Sequence, residues 1–206
     1  MATQREKWDA RYAAQELVWS AGPNATLAEE VADLPAGRAL DAGCGEGRNA
    51  LWLAAQGWHV TAIDFSDVAV AKARQIAERR GVRVNWRVDD LSTCALDHES
   101  YDLVVVVFLH TDPATRAQWL PRLLNAVKVG GTFLYIGHDP SNIEHGTGGP
   151  RNPAFLPDAT TLAAELAAFE IAIATVVQRP LSAEPGHGGN AEQRALDTLV
   201  RAVRVQ

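Results

Sequence analysis

A short glycine-rich stretch carries the clearest chemical signal in this sequence of 206 residues. It contains Asp41, Gly43, Gly45, Gly47 and Arg48, and it joins a predicted strand to a predicted helix. Glycines at such a turn let the backbone bend tightly and bring free N–H groups against a ligand. Dinucleotide enzymes space them as G-x-G-x-x-G, but Arg48 occupies the third-glycine position here. The acid before the first glycine suits a ligand with an ammonium or sulfonium group rather than a pyrophosphate.

Further acids follow the next two predicted strands. Asp64 ends the strand His59–Asp64, where a carboxylate can accept hydrogen bonds from both ribose hydroxyls. Asp89 and Asp90 close the third strand, where an acid could accept a hydrogen bond from the exocyclic adenine amine. Asp90 is favoured for that role, because Asp89 is more simply explained as a solvated charge. Acids at successive strand ends predict a ligand at the carboxyl edge of a parallel sheet.

Short and long apolar segments alternate along the chain, which is typical of strands alternating with helices. The continuous valine run of the fourth strand indicates a strand with both faces covered. The predicted strands are Arg38–Ala42, His59–Asp64, Val82–Val88, Tyr101–Leu109, Thr132–Gly137, Glu170–Val177 and Ala195–Val205, with a turn at Gly130-Gly131. The predicted helices are Asn49–Gln56, Asp67–Arg80, one opening at Asp112-Pro113, and Thr161–Phe169. The pattern predicts an α/β fold with a doubly wound, mostly parallel sheet and helices on both faces.

The motifs together resemble those of the class I S-adenosylmethionine-dependent methyltransferases. The resemblance rests on D-x-G-x-G-x-G, on Asp64, on Asp90-Leu91, on the Y-D-L-V-V-V-V strand and on Gly130-Gly131-Thr-Phe-Leu. The stretch from Asp41 to Asp64 is similar to the tellurite-resistance and thiopurine-type small-molecule enzymes. The resemblance implies a Rossmann-like sheet of seven strands whose last strand is antiparallel. The residues before the first predicted strand, 1–33, form a separate N-terminal helical cap in this prediction, and residues 34–206 form a single methyltransferase domain.

The resemblance also implies S-adenosyl-L-methionine as cofactor and S-adenosyl-L-homocysteine as product. Gly43, Gly45 and Gly47 would line the methionine part, Asp64 would hold the ribose, and Asp90 with the Leu91 N–H would read the adenine. Arg48 could contact the methionine carboxylate or form a surface salt bridge. The remaining predicted cofactor contacts are Asp41, Phe65, Phe108, Trp8 and Trp19. Trp8 shares a helical face with Tyr12, and the pair could close over the ligands or pack against the sheet.

Three histidines are candidate catalytic residues: His110, His138 and His187. The first two follow the fourth and fifth strands, and the third lies in the last loop. A general base is needed only if the acceptor must lose a proton, and each histidine alone could equally be a polar loop residue. The tellurite-resistance enzymes place a His-Arg pair in that last loop, whereas Gly188 follows His187 here.

The sequence therefore predicts methyl transfer to O, S or N of a small aromatic or apolar molecule. The alternatives are a nicotinamide-dependent oxidoreductase, which Asp41 and Arg48 disfavour, and a non-catalytic cofactor-binding module. The net charge of −6 and the lack of an Asn-Pro-Pro-Tyr type motif disfavour a nucleic acid substrate. The two cysteines form no metal-ligand cluster, so no metal site is expected. Without a leader or a long apolar run, we expect a cytoplasmic protein that does not engage membranes; the oligomeric state is left open.

Overall fold

The computed structural model describes residues 3–14, 17, 22–181 and 193–206. Within them, one seven-stranded sheet has the strand order β3-β2-β1-β4-β5-β7-β6. The strands are β1 Arg38–Ala42, β2 His59–Asp64, β3 Asn85–Val88, β4 Tyr101–Val107, β5 Val127–His138, β6 Phe169–Pro180 and β7 Arg194–Arg204. The first five strands pair in parallel, and β7 is antiparallel to both β5 and β6. The predicted mostly parallel sheet with a reversed last strand is confirmed.

Helices cover both faces of this sheet. They are α1 Gln4–Ala13, α2 Ala25–Val31, α3 Arg48–Ala55, α4 Asp67–Arg80, α5 Pro113–Ala126, α6 Asn142–His145 and α7 Ala159–Ala164, with a 3-10 turn at Pro153–Phe155. Side-chain caps fix two of the starts that position the site. Ser66 Oγ accepts the Ala69 N–H at 3.1 Å at the start of α4, and Asp112 Oδ1 accepts the Thr115 N–H at 3.0 Å at the start of α5.

The valines of β4 pack into two separate cores. Val104 and Val106 join one core with Trp119 and Leu123 of α5, whereas Val105 belongs to the core on the opposite face. All three valines are fully buried. A strand covered on both faces explains why this segment is continuously apolar rather than alternating.

The structure moves several predicted boundaries. The third strand begins at Asn85 rather than Val82. The fourth ends at Val107 rather than Leu109, because the backbone of Phe108 turns into the left-handed region with φ +57°. The predicted Gly130-Gly131 turn lies inside β5 as an irregularity, since Tyr101 pairs with Val127 while Leu103 pairs with Thr132. The extra residues on β5 form a bulge there, which is how a turn-like sequence stays within a strand.

Helix α1 lies against the start of α4. Thr3 caps α1 through a reciprocal capping box with Glu6. Ser66 Oγ donates a hydrogen bond to Asp9, and Lys72 Nζ donates one to the Tyr12 carbonyl. These contacts place α1 beside the carboxyl end of β2. In the described part of the chain, no helix is long and apolar enough to cross a membrane.

Candidate active site

The glycine loop between β1 and α3 depends on left-handed backbone. Gly43, Gly45 and Gly47 have φ values of 75°, 52° and 80°, which other residues adopt only with strain. The Gly43 N–H donates to the Ile63 carbonyl at 2.9 Å and so ties the loop to β2. A Cβ on Gly47 would lie 2.4 Å from the ring of Trp86. Gly47 therefore permits close packing behind the loop rather than contact with a ligand in front of it.

Asp64 sits where the loop meets the end of β2. Its Oδ2 accepts the Gly45 N–H at 2.8 Å, and its Oδ1 accepts the Ser66 N–H at 2.9 Å. Burial raises the pKa of Asp64, and these N–H donors oppose the rise. A carboxylate has about four lone-pair sites, so both oxygens retain capacity for hydroxyl donors from a ligand.

Asp41 lies behind the loop, with 1% of its surface exposed. Its Oδ2 has no hydrogen-bond partner among the described residues. Burial raises the pKa of Asp41 to about 7, and nearby Asp64 adds to the rise, whereas the Ala50 N–H and the Arg48 charge oppose it. An orphaned carboxylate oxygen of this kind is expensive to ionise, unless a positive charge comes close.

A cavity of about 510 Å³ opens in front of the loop. Its walls come from α1, the glycine loop, the ends of β2, β3 and β4, the start of α5 and the 3-10 turn. Ten of the predicted residues line it: Trp8, Gly43, Gly45, Arg48, Asp64, Phe65, Asp90, Leu91, Phe108 and His110. Asp41, Gly47 and His138 do not reach the wall, and Trp19 and His187 lie outside the described residues.

The two acids after β3 differ in their surroundings. Asp90 lines the cavity, is exposed, and accepts the Ser92 N–H at 2.8 Å through Oδ1. Asp89 is held by Arg87, with 2.7 Å between the guanidinium nitrogen and the carboxylate oxygen. The ion pair gives Asp89 a role in the loop, and Asp90 keeps one oxygen available toward the cavity.

His110 and His138 lie side by side with nearly parallel rings, 5.3 Å between centroids and 6° between planes. The backbone N–H of His138 donates to Nε2 of His110 at 3.1 Å. Because a backbone N–H can only donate, the proton of the neutral His110 ring lies on Nδ1. Burial, followed by neighbouring His138, lowers the pKa of His110 to about 3 against the opposing effect of Asp197. His110 is thus neutral in this arrangement. Its Nδ1–H can donate a hydrogen bond, and its Nε2 already accepts the backbone N–H of His138.

A family model described as a methyltransferase domain matches residues 39–131, the segment from β1 to the bulge of β5. The matched segment contains the glycine loop, Asp64 and Asp90. The matched part of the chain thus resembles a methyltransferase domain.

Curated relatives match this chain over part of their own length. "Hemagglutinin 1" of Eikenella corrodens is 35% identical over 55% of this chain and 38% of its own. The "Probable S-adenosyl-L-methionine-dependent methyltransferase TehB" of Haemophilus influenzae is 28% identical over 48% of this chain and 35% of its own. "Probable thiol methyltransferase 2" of Arabidopsis thaliana is 27% identical over 69% of this chain and 65% of its own. The chain thus spans little more than a third of the first two relatives.

Solved structures support the fold over nearly the whole chain. A structure from a study of the conversion of a disulfide bond into a thioacetal group during echinomycin biosynthesis has a TM-score of 0.77 at 23% identity, covering 98% of this chain and 93% of that one. TehB from Haemophilus influenzae has a TM-score of 0.71 at 19% identity, covering 97% and 67%. A Haemonchus contortus phosphoethanolamine-type N-methyltransferase in complex with S-adenosylhomocysteine has a TM-score of 0.73 at 18% identity, covering 100% and 61%.

S-adenosylmethionine is named as the cofactor of one of these relatives, and the residues around the cavity fit it. The carboxylate of Asp41 lies behind the loop, where its charge would favour a positively charged ligand in the cavity without touching it. The left-handed glycines let the backbone approach the ligand closely. Asp64 has remaining capacity for ribose hydroxyls, and Asp90 stands at the next strand end. The group would supply an activated methyl on positively charged sulfur.

Sequence reasoning missed several residues of the candidate site. Thr111, Gln118, Trp119 and Phe155 line the cavity, although they belong to α5 and to segments without a motif. Asp197, which lies directly across from His138 in the β5–β7 pairing, was also missed. Its signal was available in principle, because the first residues of a reversed strand lie at the edge where parallel strands end.

Proposed function

We propose that this chain transfers the methyl group of S-adenosylmethionine to O, S or N of a small aromatic or apolar molecule. The observation that supports the proposal is that one cavity has a polar wall and an apolar wall. One wall holds the acids and glycines described above, and the other consists of Leu109, Trp119 and Phe155. A site of about 510 Å³ is within the range that holds drug-sized ligands.

The chain's own contribution to this reaction is binding and orientation. Leu109 lies against the loop, since a Cβ on Gly43 would be 3.1 Å from its Cδ1. Trp119 is held by a hydrogen bond of 3.0 Å from Nε1 to Thr111 Oγ1. Fixed apolar walls of this kind hold an acceptor in line with the methyl group and exclude water. The general base sought among the histidines is not required for an acceptor that arrives deprotonated.

Sulfur and oxygen are the acceptor atoms that the comparisons favour. The Arabidopsis relative is named as a probable thiol methyltransferase and aligns over 150 residues. A net charge of −6 gives no support to a nucleic acid substrate. We further propose residues 34–206 as the catalytic domain and residues 1–33 as its cap, because Trp8 and Tyr12 of α1 line the cavity.

The test is a methyl-transfer assay with isotope-labelled S-adenosylmethionine and a panel of thiols, phenols and heterocyclic amines. Labelled product should form with at least one acceptor and be inhibited by S-adenosylhomocysteine. An Asp64→Asn variant should lose turnover, whereas Asp33→Asn, at an exposed acid two residues after α2, should keep it. Stabilisation by NADH alone, or tight cofactor binding with no turnover on any acceptor, would support one of the two alternative functions instead.

A further inference from the structure

Four neighbouring strands contribute to one network at the carboxyl edge of the sheet. His110 follows β4, His138 ends β5, Asp197 lies near the start of β7, and Arg179 lies near the end of β6. The strands stand in the order β4-β5-β7-β6, so each residue comes from the strand next to the previous one. Of the four, only His110 lines the cavity.

The contacts run in sequence from the buried interior to the cavity. Arg179 Nε donates to Asp197 Oδ2 at 2.6 Å, and Asp197 is fully buried. Asp197 Oδ1 lies 3.0 Å from His138 Nδ1, at an angle that leaves the contact outside hydrogen-bond geometry. His138 then contacts His110 twice, through the parallel ring and through its backbone N–H. The backbone of Gly149 packs closely against the His138 ring, because a Cβ on Gly149 would be 2.3 Å from His138 Cδ2.

We propose that Arg179, Asp197 and His138 are positioning residues that hold His110 as a hydrogen-bond donor to an anionic oxygen or sulfur of the methyl acceptor. This inference rests on the proposed function and deepens it, because it selects thiols and phenols over amines. A fixed donor aimed at the bound acceptor favours the anionic form that attacks the methyl group, and it needs no reorganisation to do so. His110 itself is the one member that can touch the acceptor.

The step balances without a proton acceptor on the protein. The proton of the thiol or phenol passes to solvent on binding. A bond then forms between the acceptor atom and the methyl carbon while the methyl–sulfur bond breaks, and sulfur keeps the electron pair and loses its positive charge. His110 keeps its Nδ1 proton throughout. The titratable groups whose charges act on His110 are His138 from β5 and Asp197 from β7. The guanidinium groups of Arg48 and Arg179 lie over the Phe108 ring, whose centroid is 6.0 Å from that of His110. Asp112, two residues after His110, caps α5.

The first test uses 4-nitrophenol, whose anion absorbs visible light, bound to the complex with S-adenosylhomocysteine. Wild-type protein should lower the pKa of the bound probe by about one, because a hydrogen bond to the charged form favours it. His110→Asn keeps an N–H near the Nδ1 position and should preserve most of this effect, whereas His110→Gln should abolish it. Failure of the probe to bind the wild-type complex, an unchanged probe pKa, or equal behaviour of the two variants would overturn the proposal.

The second test separates positioning from folding. His138→Phe keeps a ring beside His110 and the backbone N–H but loses the contact with Asp197. It should lower kcat about tenfold or more for a thiol or phenol, with the dissociation constant for S-adenosylhomocysteine unchanged. Nitrogen-15 NMR of the histidine rings should show His110 protonated on Nδ1 in both proteins, because the variant keeps the backbone N–H that binds Nε2. An unchanged kcat in the variant, a wild-type His110 protonated on Nε2, or a pH profile whose basic group disappears in His187→Ala would overturn the proposal. If the wild-type protein does not bind S-adenosylhomocysteine, that result would refute the proposed function instead.

Discussion

Replacing Asp41 by Asn should stabilise the protein without ligand and weaken its binding of S-adenosylmethionine. The folded protein raises the pKa of this carboxyl from 3.8 to about 7, chiefly through burial. Because the folded state holds the proton more tightly than the unfolded chain does, stability is lost as the pH rises from about 4 to about 7. The difference between the two pKa values corresponds to about 4 kcal/mol above pH 7.

The Asn variant removes this cost but introduces another. Its oxygen can still accept the Ala50 N–H, whereas its NH2 group is buried where Oδ2 has no partner among the described residues. An unsatisfied buried donor costs about 1–3 kcal/mol. The net gain should therefore be about 2 kcal/mol at pH 8, which is a rise of about 4–8 °C in Tm for a chain of this size. At pH 5 the two effects nearly cancel, and the gain should be close to zero.

The assay is calorimetric unfolding of wild type and variant at both pH values, without ligand. Asp33→Asn serves as the control for charge alone, because Asp33 is exposed, and should change stability little. Asp197→Asn is the opposite control, because removing one partner of the buried pair with Arg179 should destabilise the fold. Equal destabilisation of Asp41→Asn at pH 5 and pH 8 would refute the reasoning, since it would mean that Asp41 is ionised and partnered.

Three further perturbations test the site. The affinity of wild type for S-adenosylmethionine should rise as the pH increases through about 7, because a cationic ligand favours ionised Asp41. Titration calorimetry should show this rise, whereas the affinity of Asp41→Asn should not change with pH. Gly47→Ala should unfold at lower Tm and bind more weakly, because its Cβ would lie 2.4 Å from the Trp86 ring; Gly81→Ala, with open space around it, is the control for left-handed backbone alone. Trp8→Ala should weaken S-adenosylhomocysteine binding with little change in the Tm of the protein without ligand, since Trp8 lines the cavity; unchanged affinity would remove α1 from the binding site.

Local chemistry explains why the first half of the fold could be predicted closely. The strand His59–Asp64 and the helix Asp67–Arg80 were predicted with their observed bounds, because Ser66 caps the helix and Gly81 ends it in the left-handed region. The valine run of β4 indicated coverage on both faces, which the two cores show. Signals of this kind lie within a few residues of the feature they determine.

Features that depend on long-range packing could not be predicted in the same way. The bulge at Gly130-Gly131 arises from the pairing of β5 with β4, and the sequence alone indicates only a turn. His110 looked like a candidate base, yet its Nε2 is occupied by a backbone N–H from 28 residues away. The pairing of Asp197 with Arg179 depends on how β6 and β7 are aligned. None of these partners is marked by a local motif.

The measurement that tests the central claim most directly is titration calorimetry of S-adenosylhomocysteine into wild type, Asp64→Asn and Asp33→Asn. If the glycine loop and Asp64 form the cofactor site, wild type and Asp33→Asn should bind with one site per chain, and Asp64→Asn should bind at least tenfold more weakly. Absence of binding to wild type at millimolar ligand, or equal binding by all three proteins, would contradict the assignment of this cleft.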